Sequence, residues 1–294
     1  YYIFYKRNRR KERVHERSGM EFMEGKAIMS KKAKQTAIVL SQQKLAEGIY
    51  DLWLATELAK EAGAGQFIGV YPKNAATLLP RPISICEVNE DKTALRLVYR
   101  VAGKGTKEFS SLEKGDTVEI LGILGNGYKV SELLAKNPEF TEITLYGGGI
   151  GIPPMLQLAK ELAAAGKKPS VFIGYRDSNL FLKEDFEKYG TVYVATEDGS
   201  VGTKGNVLTA LKENGVQPSV MMACGPMMML RAIKQEASER AIPAYISLEE
   251  HMACGIGACL GCVCKTTKKD EHSQVHNARI CTEGPVFLAE EVEI

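Results

Sequence analysis

The stretch LYGGGIGIPPM, Leu145 to Met155, is where this chain changes rhythm. An apolar strand candidate (TEITLYG) runs into glycines at 147, 148, 149 and 151, and a helix-like segment (PPMLQLAKELAAAG) follows. Proline suits a first helical turn, where its missing N–H has no intrahelical partner anyway. Glycines between a strand and a helix let backbone N–H groups face a phosphate. The spacing is not a strict G-x-G-x-x-G, and glycine turns also serve plain strand–helix packing. Gly148, Gly149 and Gly151 are therefore candidate nucleotide ligands rather than assigned ones.

Downstream, strand candidates (SVFIGY, TVYVATE, SVMMACG) alternate with helix-like segments (LKEDFEKYG, GNVLTALKENG, PMMMLRAIKQEASER). Strand–helix alternation with glycine at strand ends predicts a doubly wound α/β domain over 135–246. Upstream, TAIVLS, GIYDLWLAT, GQFIGVYP, RPISICEV, ALRLVYRVA and DTVEILGIL alternate with turn residues, the pattern of a small antiparallel β barrel over 33–134. The fold class expected is multidomain α+β: a barrel, an α/β domain, and a small cysteine-rich C-terminal domain over 247–294.

A chain of 294 residues has room for two compact domains and an appendage. No apolar run reaches the roughly 18 residues of a membrane span, and the opening YYIFY lacks the length of a signal peptide. Residues 1–34 carry eleven Lys/Arg against four Asp/Glu, whereas the other 260 carry 27 against 32. The basic excess thus sits in residues 1–32, read as a disordered extension or as sequence upstream of a start near Met29. No nucleic-acid site is expected in the acidic body, and no membrane association.

The seven cysteines do not read as a disulfide framework. Cys254, Cys259 and Cys262 stand in CGIGACLGC, and Cys281 follows after a polar stretch. C-x4-C-x2-C with a distal fourth cysteine is the ligand pattern of a plant-type [2Fe–2S] cluster. Gly255, Gly257 and Gly261 let the loop wrap tightly and turn N–H groups toward sulfur. A zinc site of four cysteines is the alternative, but it more often uses two separated C-x2-C pairs. Cys264 shares a strand face with Cys262 and is left out because four ligands are already supplied. Clustered thiols point to a reducing cytoplasm.

Two further runs carry chemistry. In RPISI, Arg81 offers a planar fork for a phosphate, Pro82 fixes φ, and Ser84 presents a hydroxyl beside Ile83. Val98, Tyr99 and Arg100 follow on the next strand, where Tyr99 offers an aromatic face. Gly105 and Thr106 precede a short helical piece (KEFSSLEKGD) and present N–H groups to a pyrophosphate. Finally ACGPMMM places Cys224, Gly225 and Pro226 at the end of a strand, where the plain reading of Cys224 is a small core residue.

RP-I-S, GGGIG-x-PP and CGP in this order resemble the ferredoxin–NADP reductase superfamily. MACGIGACLGCVCK followed by ICTEGPVF narrows the resemblance to the electron-transfer subunits of class B dihydroorotate dehydrogenase, over about 33–294. The resemblance implies FAD on Arg81, Pro82, Ile83, Ser84, Val98, Tyr99, Arg100, Gly105 and Thr106, with Ser84 near flavin N5. It implies NAD at Gly148, Gly149, Gly151, Gly225 and Pro226, with Cys224 raised to a catalytic candidate beside the nicotinamide. It implies a [2Fe–2S] cluster on Cys254, Cys259, Cys262 and Cys281. A separate FMN-containing catalytic subunit follows as partner, in a heterotetramer of two of each, serving pyrimidine synthesis. Related flavin/[2Fe–2S] subunits of sulfide dehydrogenase or of NAD-linked ferredoxin:NADP oxidoreductase are the alternative; their first ligand tends to be Asp, so Cys254 favours the dihydroorotate reading. A zinc-binding interaction module is the alternative of another class. Arg176 leaves NAD against NADP open, since it could meet a 2′-phosphate.

Overall fold

Six strands, β1 (Ala33–Ala46), β2 (Ile49–Ala55), β3 (Phe67–Tyr71), β4 (Arg81–Val88), β5 (Ala94–Arg100) and β6 (Thr117–Leu124), close into an antiparallel barrel in the order β1-β2-β5-β4-β3-β6. The computed structural model describes residues 33–269 and 274–294, and the basic stretch expected at 1–32 lies outside them. The barrel interior is apolar, with Leu52, Leu54, Ile68, Ile85, Leu97 and Ile120 fully buried. Closure leaves the sheet with no free edge. Helix α1 (Lys104–Phe109) links β5 to β6 and plugs the barrel with Phe109, and α2 (Val130–Lys136) leads out of it.

The second sheet is built on parallel strands β7 (Ile143–Gly148), β8 (Ser170–Tyr175), β9 (Thr191–Thr196), β10 (Thr203–Lys204), β11 (Val220–Cys224) and β12 (Ala244–Ser247). Helices α3 (Ile152–Ala164), α4 (Lys183–Glu187), α5 (Val207–Glu213) and α6 (Met227–Glu239) connect them. The order β10-β9-β8-β7-β11-β12 reverses direction at β7, so β7 and β11 flank the switch point where doubly wound sheets bind ligands. Near-continuous apolar runs such as β7 and β11 suit strands covered on both faces.

The cysteine-rich segment is less separate than its sequence suggests. A hairpin of β13 (Val263–Lys265) and β14 (Asn277–Arg279) stands apart, but β15 (Val286–Leu288) pairs antiparallel with β12, Ser247 opposite Val286 and Tyr245 opposite Leu288. Seven strands thus share the second sheet, and the described residues form one compact unit.

A polar seam joins barrel and sheet. From α3, Gln157 Oε1 accepts the Val88 N–H at 2.8 Å and Glu161 Oε1 accepts the Ala64 N–H at 2.8 Å. Arg96 on β5 is gripped by Asp51 through Nε and Nη2 (3.0 and 2.9 Å), and its Nη1 reaches Glu87 at 3.2 Å and Asp185 on α4 at 3.0 Å. Among the described residues no helix is long and apolar enough to cross a membrane.

Candidate redox-cofactor sites

The C-terminal ends of the parallel strands border a cleft of ≈ 740 Å³. Gly148, Gly149 and Gly151 after β7, and Gly225 and Pro226 after β11, line one wall, and Arg100 and Glu47 of the barrel face them. Both loops open thirteen-residue helices, α3 and α6, so two positive dipole ends border the cavity. The loops touch at Gly151, where a Cβ would lie 2.4 Å from the Cys224 carbonyl oxygen. Only glycine permits that approach, which makes the GGGIG and CGP segments one structure.

Cys224 itself is buried in the core between barrel and sheet, 1% exposed, and is not among the lining residues. Burial, then the Glu249 carboxyl, push its thiol well above the usual range, against a weaker pull from Ser247. It is a neutral thiol beneath the cleft floor, with Gly225 and Pro226 at the surface. Glu249, just past β12, lines the cleft with its carboxyl crowded by protein; that desolvation raises its pKa against the opposing charge of Arg100. Nothing in the local sequence marks Glu249, and only the placement of β12 reveals it.

Arg100, at the end of β5, lines the cleft, and Arg81 and Gly105 meet at the start of β4, the end of the antiparallel β4–β5 ladder on which Arg100 also lies. A Cβ at Gly105 would lie 2.7 Å from Arg81 Nε, so the glycine is a cradle for the guanidinium, which donates to the Leu79 carbonyl. Helix α1 starts earlier than expected, with Gly105 and Thr106 inside its first turn. Thr106 Oγ1 accepts the N–H groups of Ala102 (2.9 Å) and Gly103 (3.1 Å), and this cap fixes the start. The Tyr99 ring does not face outward: it stacks on Tyr50 inside the barrel (centroids 5.9 Å apart), meets Phe109 edge-on, and its hydroxyl donates to Gln42 Oε1 at 2.9 Å. Ile83 also points into that core, while Val98 points to the core shared with the sheet. Ser84 is half-buried and Pro82 exposed.

The cysteine loop lies against the end of β6, where a Cβ on Gly255 would lie 3.1 Å from Leu124 Cδ1. Three N–H groups donate to sulfur: Ile256 (3.5 Å) and Cys259 (3.4 Å) to Cys254, and Gly261 (3.4 Å) to Cys259. Burial raises the Cys254 thiol, but the N–H groups of Ile256 and Cys259, with the Cys259 side chain, outweigh it and lower the pKa to about 6. Cys281 goes the other way, to about 11, through burial and the adjacent Cys262. Cys262 and Cys281 are 2% and 1% exposed, whereas Cys259 is open to solvent. Among the described residues no three such side chains converge as for a single ion. Cys254 lies beside Cys259, and Cys281 lies beside Cys262 and within range of the Cys254 charge. Four neighbouring thiols with N–H groups aimed at sulfur are the donor set of a [2Fe–2S] cluster, which these residues fit. Cys264 is half-buried on β13, where it pairs with Ala278.

Residues 249–293 match the model of the iron–sulfur cluster binding domain of dihydroorotate dehydrogenase B. The dihydroorotate dehydrogenase B (NAD(+)) electron transfer subunit of Listeria welshimeri is 41% identical over 257 residues, covering 87% of this chain and 97% of that one. Its counterpart in Bacillus mycoides is 40% identical over 262 residues, covering 88% and 98%. Among solved structures, an NADH-dependent reduced ferredoxin-NADP oxidoreductase, described for flavin-based electron bifurcation, superposes with a TM-score of 0.75 at 27% identity, covering 87% of this chain and 89% of that one. A cytochrome P450 reductase from Amycolatopsis shares the fold at a TM-score of 0.59 and 21% identity, over 71% and 66%.

Proposed function

Because the chain belongs to the family of dihydroorotate dehydrogenase B electron transfer subunits, we propose that it passes electrons from dihydroorotate oxidation, on a separate FMN-containing subunit, by way of a [2Fe–2S] cluster and FAD to NAD+ in pyrimidine synthesis. The observation that carries this reading is one compact unit holding a cleft at the sheet's switch point and a cysteine quartet whose sulfurs receive backbone N–H groups. Bound together, the three groups supply single-electron, one-or-two-electron and hydride transfer respectively, which is why a flavin stands between cluster and nicotinamide.

The chain's own residues supply position and field. Cys254, Cys259, Cys262 and Cys281 hold the cluster, and the N–H groups of Ile256, Cys259 and Gly261 stabilise thiolate charge. Arg81, cradled by Gly105, and the first turn of α1 at Thr106 take the FAD phosphates. Pro82, Ser84 and Arg100 hold its outer side, with Ser84 toward N5. Ile83, Val98 and Tyr99 contribute main chain from strands whose side chains are committed to the cores. Gly148, Gly149, Gly151, Gly225 and Pro226 receive the nicotinamide nucleotide, and Cys224 backs that wall from below.

The working domains on this reading are a barrel over 33–134, a nicotinamide domain over 135–246 and a cluster domain over 247–294. The assembly is a cytoplasmic heterotetramer of two of each subunit. The exposed Ile256 and Leu260 beside Cys259 give the catalytic subunit an apolar contact next to the outermost ligand. The test uses complex purified without oxygen. Each cysteine-to-serine change at 254, 259, 262 or 281 abolishes dihydroorotate-dependent NAD+ reduction and largely spares NADH oxidation with an artificial acceptor. Survival of both activities overturns the electron path. Failure of dihydroorotate to bleach the flavin and cluster bands of the intact complex favours the ferredoxin-linked alternative.

A further inference from the structure

Beyond the glycine loops, the far wall of the cleft is made by the ends of β8 and β9, where Arg176, Asp177, Asn179 and Glu197 line the cavity. The two strand ends stay in register past the ladder: the Glu197 N–H donates to the Tyr175 carbonyl at 3.1 Å and the Asp198 N–H to the Arg176 carbonyl at 3.3 Å. This brings Arg176, Asp177 and Glu197 onto one wall. Asp177 is held in place, its Oδ1 accepting from the Asn179 N–H at 2.9 Å and Nδ2 at 2.6 Å. Among the described residues its Oδ2 makes no hydrogen bond, and neither Arg176, Asp177 nor Glu197 is in an ion pair. Asp198, by contrast, turns to its own loop, accepting the Ser200 N–H at 2.9 Å.

In a doubly wound sheet the phosphate loop follows the first strand, and the adenosine ribose falls at the end of the neighbouring one. That strand here is β8. We propose that Asp177 and Glu197 together select a nicotinamide nucleotide with an unphosphorylated adenosine ribose, and that Arg176 is the latent 2′-phosphate ligand they overrule. The inference rests on the cleft being the nicotinamide site. A ribose diol has two donors for two carboxylate acceptors. A 2′-phosphate brings about two negative charges to a wall with two carboxylates and one guanidinium. Like charges held at a site reject the wrong ligand even where its contacts are otherwise good.

The three side chains are exposed, so substitutions there leave the core intact. The measurement is equilibrium binding to the holoprotein of two redox-inert probes, ADP-ribose and 2′-phospho-ADP-ribose, by calorimetry. The wild type binds ADP-ribose at least about tenfold more tightly than the phosphorylated probe. The double variant Asp177→Asn/Glu197→Gln narrows that gap by about tenfold or more, and adding Arg176→Ala to it reopens the gap. An unchanged gap in the double variant, or equal binding of both probes by the wild type, overturns the proposal while leaving the cleft as the nucleotide site. Failure of the wild type to bind either probe overturns the nicotinamide reading of the cleft itself.

Discussion

Replacing Arg96 by Met tests the seam on which the relative placement of flavin and nicotinamide halves depends. The guanidinium is about one-tenth exposed and serves three carboxylates, of which Asp51 is 1% exposed and bound through two nitrogens. Methionine fills much of the volume but leaves the buried Asp51 charge with only the neutral Gln43 amide, whose Nε2 donates to Oδ2 at 3.1 Å, and, among the described residues, no cation. Breaking a buried pair from one side costs about 3–5 kcal/mol, because the remaining charge is neither solvated nor neutralised. At 2–4 °C per kcal/mol, the melting temperature falls by roughly 6–20 °C. Asp185→Asn removes only the arm from α4, which is 23% exposed, and costs about 1 kcal/mol or less. The assay is thermal unfolding followed by circular dichroism and by fluorescence of the single tryptophan, Trp53, whose ring lies 5.8 Å from the guanidinium carbon. The reasoning is refuted if Arg96→Met melts within about 2 °C of wild type, since Asp51 would then have no need of its partner.

Other outcomes follow from single atoms. Tyr128→Phe raises the melting temperature of the apoprotein by up to a few degrees, because the Tyr128 hydroxyl is buried with no partner among the described residues and its desolvation costs about 1–3 kcal/mol; a fall instead would reveal a partner. Gly105→Ala drives a methyl into Arg81 and weakens FAD binding by roughly 10–100-fold in a fluorescence titration, and an unchanged affinity would remove Arg81 from the phosphate site. Asp185, Glu236 and Glu283 are each raised by burial but more strongly lowered by cationic partners: Lys188 and Arg96, Arg240 and Lys212, and Arg279. Depressed carboxylates stabilise the fold at neutral pH, and the contribution is lost as pH falls through the ordinary carboxylate range and then their lower folded values. Denaturation midpoints measured down that range fall steeply in wild type and less so in Glu283→Gln; parallel curves would deny Glu283 a share.

The barrel was legible because each of its six strands is a self-contained apolar run bounded by turn residues. The α/β strands that were missed, β10, β12 and β15, have two, four and three residues. Segments so short take strand form from the neighbour they pair with, not from any pattern of their own. LKEDFEKYG yields a helix of only five residues, entered through Leu182 at φ 66°. Glycines, cysteines and Arg81 were readable because their chemistry is tied to residue type. Asp177, Glu197 and Glu249 were not, since a carboxylate at a strand end reads like any solvated charge until the strand order puts it on a cavity wall. Tyr99 shows the converse limit. On a strand buried on both faces, alternation does not tell which side a ring takes, and this one fills the barrel.

The pairing of β15 with β12 bears on how this protein can be taken apart. The Leu248 N–H donates to the Pro285 carbonyl at 2.9 Å and the Asn126 N–H to the Gly284 carbonyl at 2.5 Å, so the chain beyond Ser247 is sewn to both the sheet and the barrel exit. Cutting it away would strip β12 of its outer neighbour and expose an unprotected strand edge, an invitation to self-association. A truncated chain that aggregates would then say nothing about where the catalytic subunit docks. The cluster-bearing segment is a structural hem of the nucleotide sheet, and grafting it onto another reductase would require carrying β12 along with it.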